Sequence, residues 1–225
     1  MKRFYVKYIF LIVLLILPLY AKGQKYNFMP IDKEFDSIAS KLCRMDFENN
    51  RVKIEIKDLD KLYKIAEEKG NKQLKARALF WKARTIQMNA SAQQCIPLLE
   101  QAKKLCSINY DYDMACINYQ LAGNYERYGR YLEAYNLLKS TIPVFQKYED
   151  HYFLGNVYLL FVQLYLDIND PENAKSPLML AGKEYEKVKF PLNRNIFFFK
   201  LTLLKEKKSY NYIKNLLKVA KKTGV

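Results

Sequence analysis

Histidine is nearly absent from this 225-residue chain, in which His151 stands alone. One imidazole cannot supply the histidine pairs of common zinc sites. His151 also follows Glu149 and Asp150 in a predicted loop between hairpins, a setting typical of an exposed polar residue rather than a catalytic base. The sequence has no GxSxG elbow, no glycine-rich phosphate loop and no HExxH motif. We therefore expect no catalysis, no metal site and no cofactor.

Cysteine is sparse as well, and none of the four residues Cys43, Cys95, Cys106 and Cys116 belongs to a CxxC pair. Cys95 and Cys106 fall on one predicted helix, roughly 16 Å apart along its axis, which is too far for a disulfide. Cys106 and Cys116 flank a predicted loop and can pair if their helices meet there. The alternative, which applies to all four, is a small buried thiol.

Long apolar runs are missing beyond residue 21. The one long uncharged run, Tyr8 to Ala21, follows a basic start, contains Pro18 and is shorter than the roughly 20 residues that span a bilayer. With small residues just before a possible cut, the pattern predicts a signal peptide over residues 1–23 and a short linker over 24–31. The alternative is an uncleaved anchor helix, which would be the only membrane contact. We expect a periplasmic or otherwise exported protein.

Acidic residues are outnumbered, with 23 Asp and Glu against 38 Lys and Arg, a net charge of +15. The basic residues are spread along the predicted helices rather than gathered in one run, which favours a solvated basic exterior over an anion-binding patch. Attraction to an anionic surface is the alternative. Because an exported protein rarely meets nucleic acid, we expect no nucleic-acid partner.

What the sequence does contain is a recurrence of small residues late in successive amphipathic segments. Their spacing is 36 to 40 residues, at Ala66, Ala102, Thr141, Ala181 and Ala220. A fixed period in this range indicates stacked helical hairpins, because the small residues let paired helices approach closely. We predict an all-α fold of about five hairpins filling residues 32–225.

The clearest unit begins near Asp111, where a second acidic residue, Asp113, is expected to complement the helix dipole. It continues with Leu121, Ala122, Tyr125, Gly129, Tyr131, Ala134 and Leu138. This order of a large and a small residue, an aromatic, a glycine break and an alanine resembles a tetratricopeptide repeat. The resemblance implies an alpha-alpha superhelix whose first helices line a concave, partner-binding face.

The neighbouring units repeat this order less closely, and every unit departs somewhere from the family. The usual repeat has 34 residues, so each hairpin here must have longer helices or loops. Pro143 falls inside a predicted second helix, where it should bend it. Asp170 and Pro171 form a predicted N-cap and first helical residue. The other units are marked by Phe47, Leu59 and Tyr63; Leu79, Ala83, Ile86, Cys95 and Leu99; Tyr158, Phe161, Val162, Tyr165, Ala174 and Leu178; and Phe197, Leu201, Leu204, Tyr210, Ile213 and Leu217.

The resemblance also implies where a ligand would lie, since exposed groove positions flank the small packing residue of each first helix. Arginine and aromatic side chains in such a groove are frequent anchors for a protein or peptide. The alternative is a core with a solvated rim. The implied ligand-binding residues are Arg77, Phe80, Arg84, Tyr119, Arg127, Asn156, Gln163 and Phe198.

Three functions agree with this sequence. The first is an exported interaction module that binds a protein or peptide on its concave face. The second, suggested by a likeness to the periplasmic sensory region of membrane-spanning bacterial transcription regulators, is the sensor portion of a truncated or split regulator. The third is an assembly scaffold that self-associates through its last hairpin.

Overall fold

The computed structural model describes residues 26–47, 56–87 and 92–188. Two predictions lie outside these residues: the signal peptide over 1–23, and the fifth hairpin with Phe198 and Ala220. Across the part of the chain that is described, no helix is both long enough and apolar enough to cross a membrane.

The described residues form eight α-helices and no strand, so the predicted all-α fold class is confirmed there. Each helix packs most extensively against its neighbours in the chain, in the pairs α3 with α4, α5 with α6 and α7 with α8. The odd-numbered helices α1, α3, α5 and α7 also touch one another in succession, which makes them a common layer. The helices are α1 (Lys33–Phe47), α2 (Ile56–Glu68), α3 (Lys72–Ile86), α4 (Ala92–Leu105), α5 (Asp111–Arg127), α6 (Tyr131–Lys147), α7 (His151–Asp167) and α8 (Pro171–Lys187).

The second half of the described chain is a regular series in which α5, α6, α7 and α8 begin 20 residues apart. Each of these helices has 17 residues, and only three residues separate it from the next. The long repeat therefore comes from its helices and not from its loops. Pro143 does not interrupt this regularity, since α6 runs through it.

The tight turns after α2, α5, α6 and α7 each contain one residue in the left-handed backbone region. Gly70, Gly129, Glu149 and Asn169 have φ values between 51° and 82°. At each, the following amide bonds back to a carbonyl five residues earlier, as when Arg130 N donates to Tyr125 O at 2.8 Å, the pattern of a Schellman cap. Gly129 thus ends α5 as predicted. Asp170 caps α8 by accepting from Asn173 N, with Pro171 in the first turn.

The recurring small residues lie in the core, as their spacing predicts. Ala66, Ala102, Thr141 and Ala181 are all buried late in the second helix of a pair. Ala83, Ala122 and Val162 occupy the matching buried positions on α3, α5 and α7. The four cysteines are buried free thiols, so Cys106 and Cys116 do not form a disulfide in this structure.

Candidate functional site

The first helices of the pairs bring bulky aromatic residues together on one side of the array. Phe80 and Trp81 come from α3, Tyr112 from the first turn of α5 and Phe153 from the first turn of α7. All four are buried. We call these four residues the aromatic face.

The residues that cover the aromatic face belong to the chain's own N-terminal segment, Tyr26–Ile31. This segment has no regular secondary structure. The Tyr26 ring lies 5.2 Å from Trp81, 5.1 Å from Phe153 and 5.9 Å from Phe80, measured between centroids. Tyr26 retains only 6% of its surface. The predicted linker at 24–31 is therefore, over its described part, a packed element that crosses several helices.

Phe28 continues the same cluster two residues later. Its ring stacks on Tyr26 with centroids 5.0 Å apart and meets Tyr112 edge-on at 5.6 Å. The guanidinium carbon of Arg77 lies 5.0 Å from the Phe28 ring centre, within the range of a cation–π contact. The segment thus touches α3, α5 and α7 with only two side chains.

Asp150 is the polar centre of the site. Its Oδ1 caps α7 by accepting from Phe153 N at 3.0 Å, and its Oδ2 accepts from the Tyr112 hydroxyl at 2.6 Å. Asn27 Nδ2 of the N-terminal segment lies 3.4 Å from the same Oδ2. Burial raises the pKa of Tyr112 far above its usual value, so the phenol remains a donor at any physiological pH. Asp150 therefore ties α5, α7 and the N-terminal segment together.

Arg77 lies beneath this cluster and not in an open groove. Its Nε donates to Asp113 Oδ2 at 2.6 Å and its Nη2 to Asp113 Oδ1 at 3.2 Å, a forked pair with both side chains almost fully buried. Gln73 Nε2 also donates to Asp113 Oδ2 at 2.6 Å. Burial raises the pKa of Asp113 above its usual value, although the hydrogen bonds from Arg77 and Gln73 act to lower it. Asp113 therefore joins α5 to α3. The sequence predicted only that it complements the dipole of its own helix.

The structure separates the predicted groove residues into two groups. Arg77 and Phe80 are buried, so the prediction that they are exposed is wrong, because Asp113 and the N-terminal segment enclose them. Phe198 lies outside the described residues. The remaining five keep some exposure, namely Arg84, Tyr119, Arg127, Asn156 and Gln163.

Of these five, Tyr119 is the one whose ring adjoins the aromatic face, 5.6 Å from Phe153. Asn156 Oδ1 accepts from the Tyr185 hydroxyl of α8 at 2.6 Å. Arg127 and Gln163 make contacts within their own helices, Arg127 with Gly123 O and Gln163 with Asp167. The predicted set is thus not one cluster.

His151 is not a loop residue. It opens α7, and its Nδ1 lies 2.7 Å from Glu184 Oε2 of α8. This pair joins the two helices near one end of the hairpin. The described residues contain no cluster of three or more His, Cys, Asp or Glu that could hold a metal ion.

A concavity of about 840 Å³ opens elsewhere, between α4, α5 and α6. Its two acidic residues, Glu100 and Glu133, have hydrogen-bond partners. Glu100 accepts from the Tyr125 hydroxyl at 2.7 Å, and Arg130 binds Glu133 and stacks 3.7 Å from the Tyr125 ring centre. Asn118 lies in the wall of this cleft, and its side-chain oxygen Oδ1 is buried without a hydrogen-bond partner. This cleft lacks the aromatic character of the first site.

Five residues of this site are not among those predicted from the sequence: Tyr26, Phe28, Trp81, Tyr112 and Phe153. A usable signal was present, because two aromatic residues at alternate positions in a short connecting segment put both rings on one side of an extended chain. What the sequence does not show is which helices receive them, since Tyr26 and Phe153 are 127 positions apart.

Comparison with protein-family models, with curated proteins and with solved structures finds no match for this chain. The functional conclusion therefore depends on the residues themselves.

Proposed function

We propose that this protein is an exported interaction module of tetratricopeptide type, without catalytic activity, that binds an extended protein segment across α3, α5 and α7. The paired helices, the buried small residue late in each second helix and the common layer of first helices support this proposal. Stacked hairpins of this kind offer a continuous surface along the array.

One observation supports the proposal most strongly: the surface formed by the first helices already holds a non-helical segment, Tyr26–Ile31. The receiving side chains are aromatic, and aromatic residues supply large and rigid contact areas at binding sites. Asp150 adds a buried carboxylate that accepts from two different elements. A surface that accommodates one such segment has the shape and chemistry to accommodate another.

The test is selection of peptides from a displayed random library against the full chain, followed by affinity measurement on variants. Tyr119→Ala removes a partly exposed ring beside Phe153, whereas the matched control Tyr128→Ala removes an exposed ring at the turn after α5. We expect the selected peptides to bind at least about tenfold more weakly to Tyr119→Ala and equally well to Tyr128→Ala, since about 1.4 kcal/mol corresponds to a factor of ten.

Failure to select any peptide, or equal affinity for both variants, would contradict the proposal. Arg84→Glu combined with Arg127→Glu tests the remaining predicted groove residues in the same assay. A loss confined to that double variant would place the binding surface at the C-terminal ends of α3 and α5 and would equally contradict the assigned site.

A further inference from the structure

The N-terminal segment displays a simple recognition pattern. Tyr26 and Phe28, separated by one residue, stack on each other and pack between Phe80, Trp81, Tyr112 and Phe153. Ring pairs at these separations attract one another beyond the effect of the area that they bury. The alternation of the two rings therefore brings both of them into contact with the aromatic face.

The residue between the two rings supplies the polar part of the pattern. Asn27 directs an amide donor toward Asp150 Oδ2, which already accepts from Tyr112. Each oxygen of a carboxylate can accept from more than one donor. An aromatic residue, a donor residue and a second aromatic residue thus match the site in order.

The segment can leave the site without unwinding a helix. The cap of α1 is Asp32, whose Oδ1 accepts from Phe35 N at 2.9 Å, and it lies beyond the end of the segment. Asp36 Oδ2 accepts from the backbone amides of Ile31 and Asp32, which ties the chain down at this junction. These bonds hold the chain at the start of α1, so only residues 26–30 need to move for the two rings to leave the site.

We propose that the external partner of the aromatic face is an extended protein segment with two aromatic residues at alternate positions around a hydrogen-bond donor, and that Tyr26–Phe28 competes with it within the same chain. This inference rests on the proposed function and names its partner. A short tether gives the chain's own segment an effective concentration of about millimolar. A partner binds well only if it exceeds that competition or if the segment is withdrawn.

The experiment uses a labelled synthetic peptide with the sequence of residues 24–33 and two forms of the full chain. In the opened form, Tyr26→Ser combined with Phe28→Ser removes the two competing rings. The matched control, Tyr128→Ser with Tyr131→Ser, removes two exposed rings instead. We expect the peptide to bind the opened form at least about tenfold more tightly than the wild type or the control. The same peptide with serine at both ring positions should not bind.

A second arm does not require the opened form to fold. Trp81 is the single tryptophan of the chain and lies 5.2 Å from the Tyr26 ring. A peptide carrying 3-nitrotyrosine at its tyrosine position absorbs where tryptophan emits, so it quenches Trp81 once seated. At millimolar concentration this nitrotyrosine peptide should quench wild-type Trp81 emission in a saturable manner. The peptide with serine at both ring positions, added as a competitor, should not restore the emission.

Absence of binding to a folded opened form, as judged by circular dichroism, would overturn the inference, and so would absence of saturable quenching in the wild type. If library-selected peptides still bind through Tyr119 but lack the alternating rings, only the partner assignment fails and the proposed function stands. If neither kind of peptide binds, both fail.

Discussion

The Tyr112 hydroxyl donates a 2.6 Å hydrogen bond to Asp150 Oδ2 and thereby joins the first turn of α5 to the cap of α7. Both residues are buried. Asp150 lies 38 positions after Tyr112, so this bond fixes two successive first helices relative to each other at the place where the N-terminal segment crosses them.

Removal of that hydroxyl should destabilise the fold measurably. We expect Tyr112→Phe to lower the free energy of unfolding by about 1–3 kcal/mol, because a buried carboxylate loses a donor. Tyr148→Phe is the matched control, since Tyr148 donates to Asp111 at 2.7 Å nearer the surface, and it should cost less than about 1 kcal/mol. Urea unfolding of both variants measures these changes. Equal losses of unfolding free energy would show that the buried bond from Tyr112 to Asp150 stabilises the fold no more than the bond from Tyr148 to Asp111.

The buried pair of Arg77 and Asp113 should respond differently to single and double substitution. Arg77→Met leaves the Asp113 carboxylate buried without its main partner and should cost about 3–5 kcal/mol of unfolding free energy. Combining it with Asp113→Leu should recover part of that loss, because the unpaired charge is gone.

The exposed pair of Lys147 and Asp111 provides the comparison for Arg77. Lys147 Nζ lies 2.6 Å from Asp111 Oδ2, but the two side chains keep 63% and 33% of their surface exposed, respectively. Lys147→Met should therefore change the free energy of unfolding by less than about 1 kcal/mol. Thermal and urea denaturation measure the loss of stability in the Arg77→Met and Lys147→Met variants. A loss at Arg77 no larger than the loss at Lys147 would rule out a buried charge pair.

Gly155 marks a close approach between α7 and α8. A Cβ atom at Gly155 would come within 2.7 Å of the Tyr185 ring, which is itself buried and bonded to Asn156. Gly155→Ala should therefore destabilise by about 1–3 kcal/mol through overpacking. At Gly123 the nearest atom is an ordinary 3.5 Å contact with Leu160, so Gly123→Ala should be neutral or stabilising by up to about 1 kcal/mol. A loss of stability at Gly155 with no loss at Gly123 in a melting experiment supports the packing, and equal losses contradict it.

The four cysteines should be unreactive until the protein unfolds. All are buried, and burial, acting against a bond from Gln73, raises the pKa of Cys106 to about 11. Little reactive thiolate therefore exists at pH 8, and its fraction rises only as pH approaches the folded pKa. We expect a thiol reagent such as DTNB to titrate none of the four cysteines quickly in the native chain and all four in denaturant. Two titratable thiols in denaturant would instead indicate a disulfide.

Features that arise from local periodicity were predictable from the sequence. The buried positions of Ala66, Ala102, Thr141 and Ala181, the break at Gly129 and the cap at Asp170 all follow from spacing and residue type within one hairpin. Local geometry decides them, so a sequence pattern is enough.

The candidate site was less predictable because it depends on contacts between distant parts of the chain. Arg77 and Arg127 have the same chemistry and both are predicted as groove residues, yet Arg77 is buried against Asp113 while Arg127 is exposed. Nothing within the repeat containing Arg77 reveals a carboxylate 36 positions away. The segment at Tyr26 likewise shows its aromatic residues but not the helices that they cover.

Acrylamide quenching of Trp81 emission shows whether Tyr26 and Phe28 cover the aromatic face. Trp81 is fully buried and is the only tryptophan, so its emission reports on this site alone. We expect Tyr26→Ser with Phe28→Ser to raise the quenching constant several-fold while helical content is retained, and Tyr128→Ser with Tyr131→Ser to leave it unchanged. An equal quenching constant in the wild type and in a folded Tyr26→Ser, Phe28→Ser variant would show that the two rings do not cover Trp81.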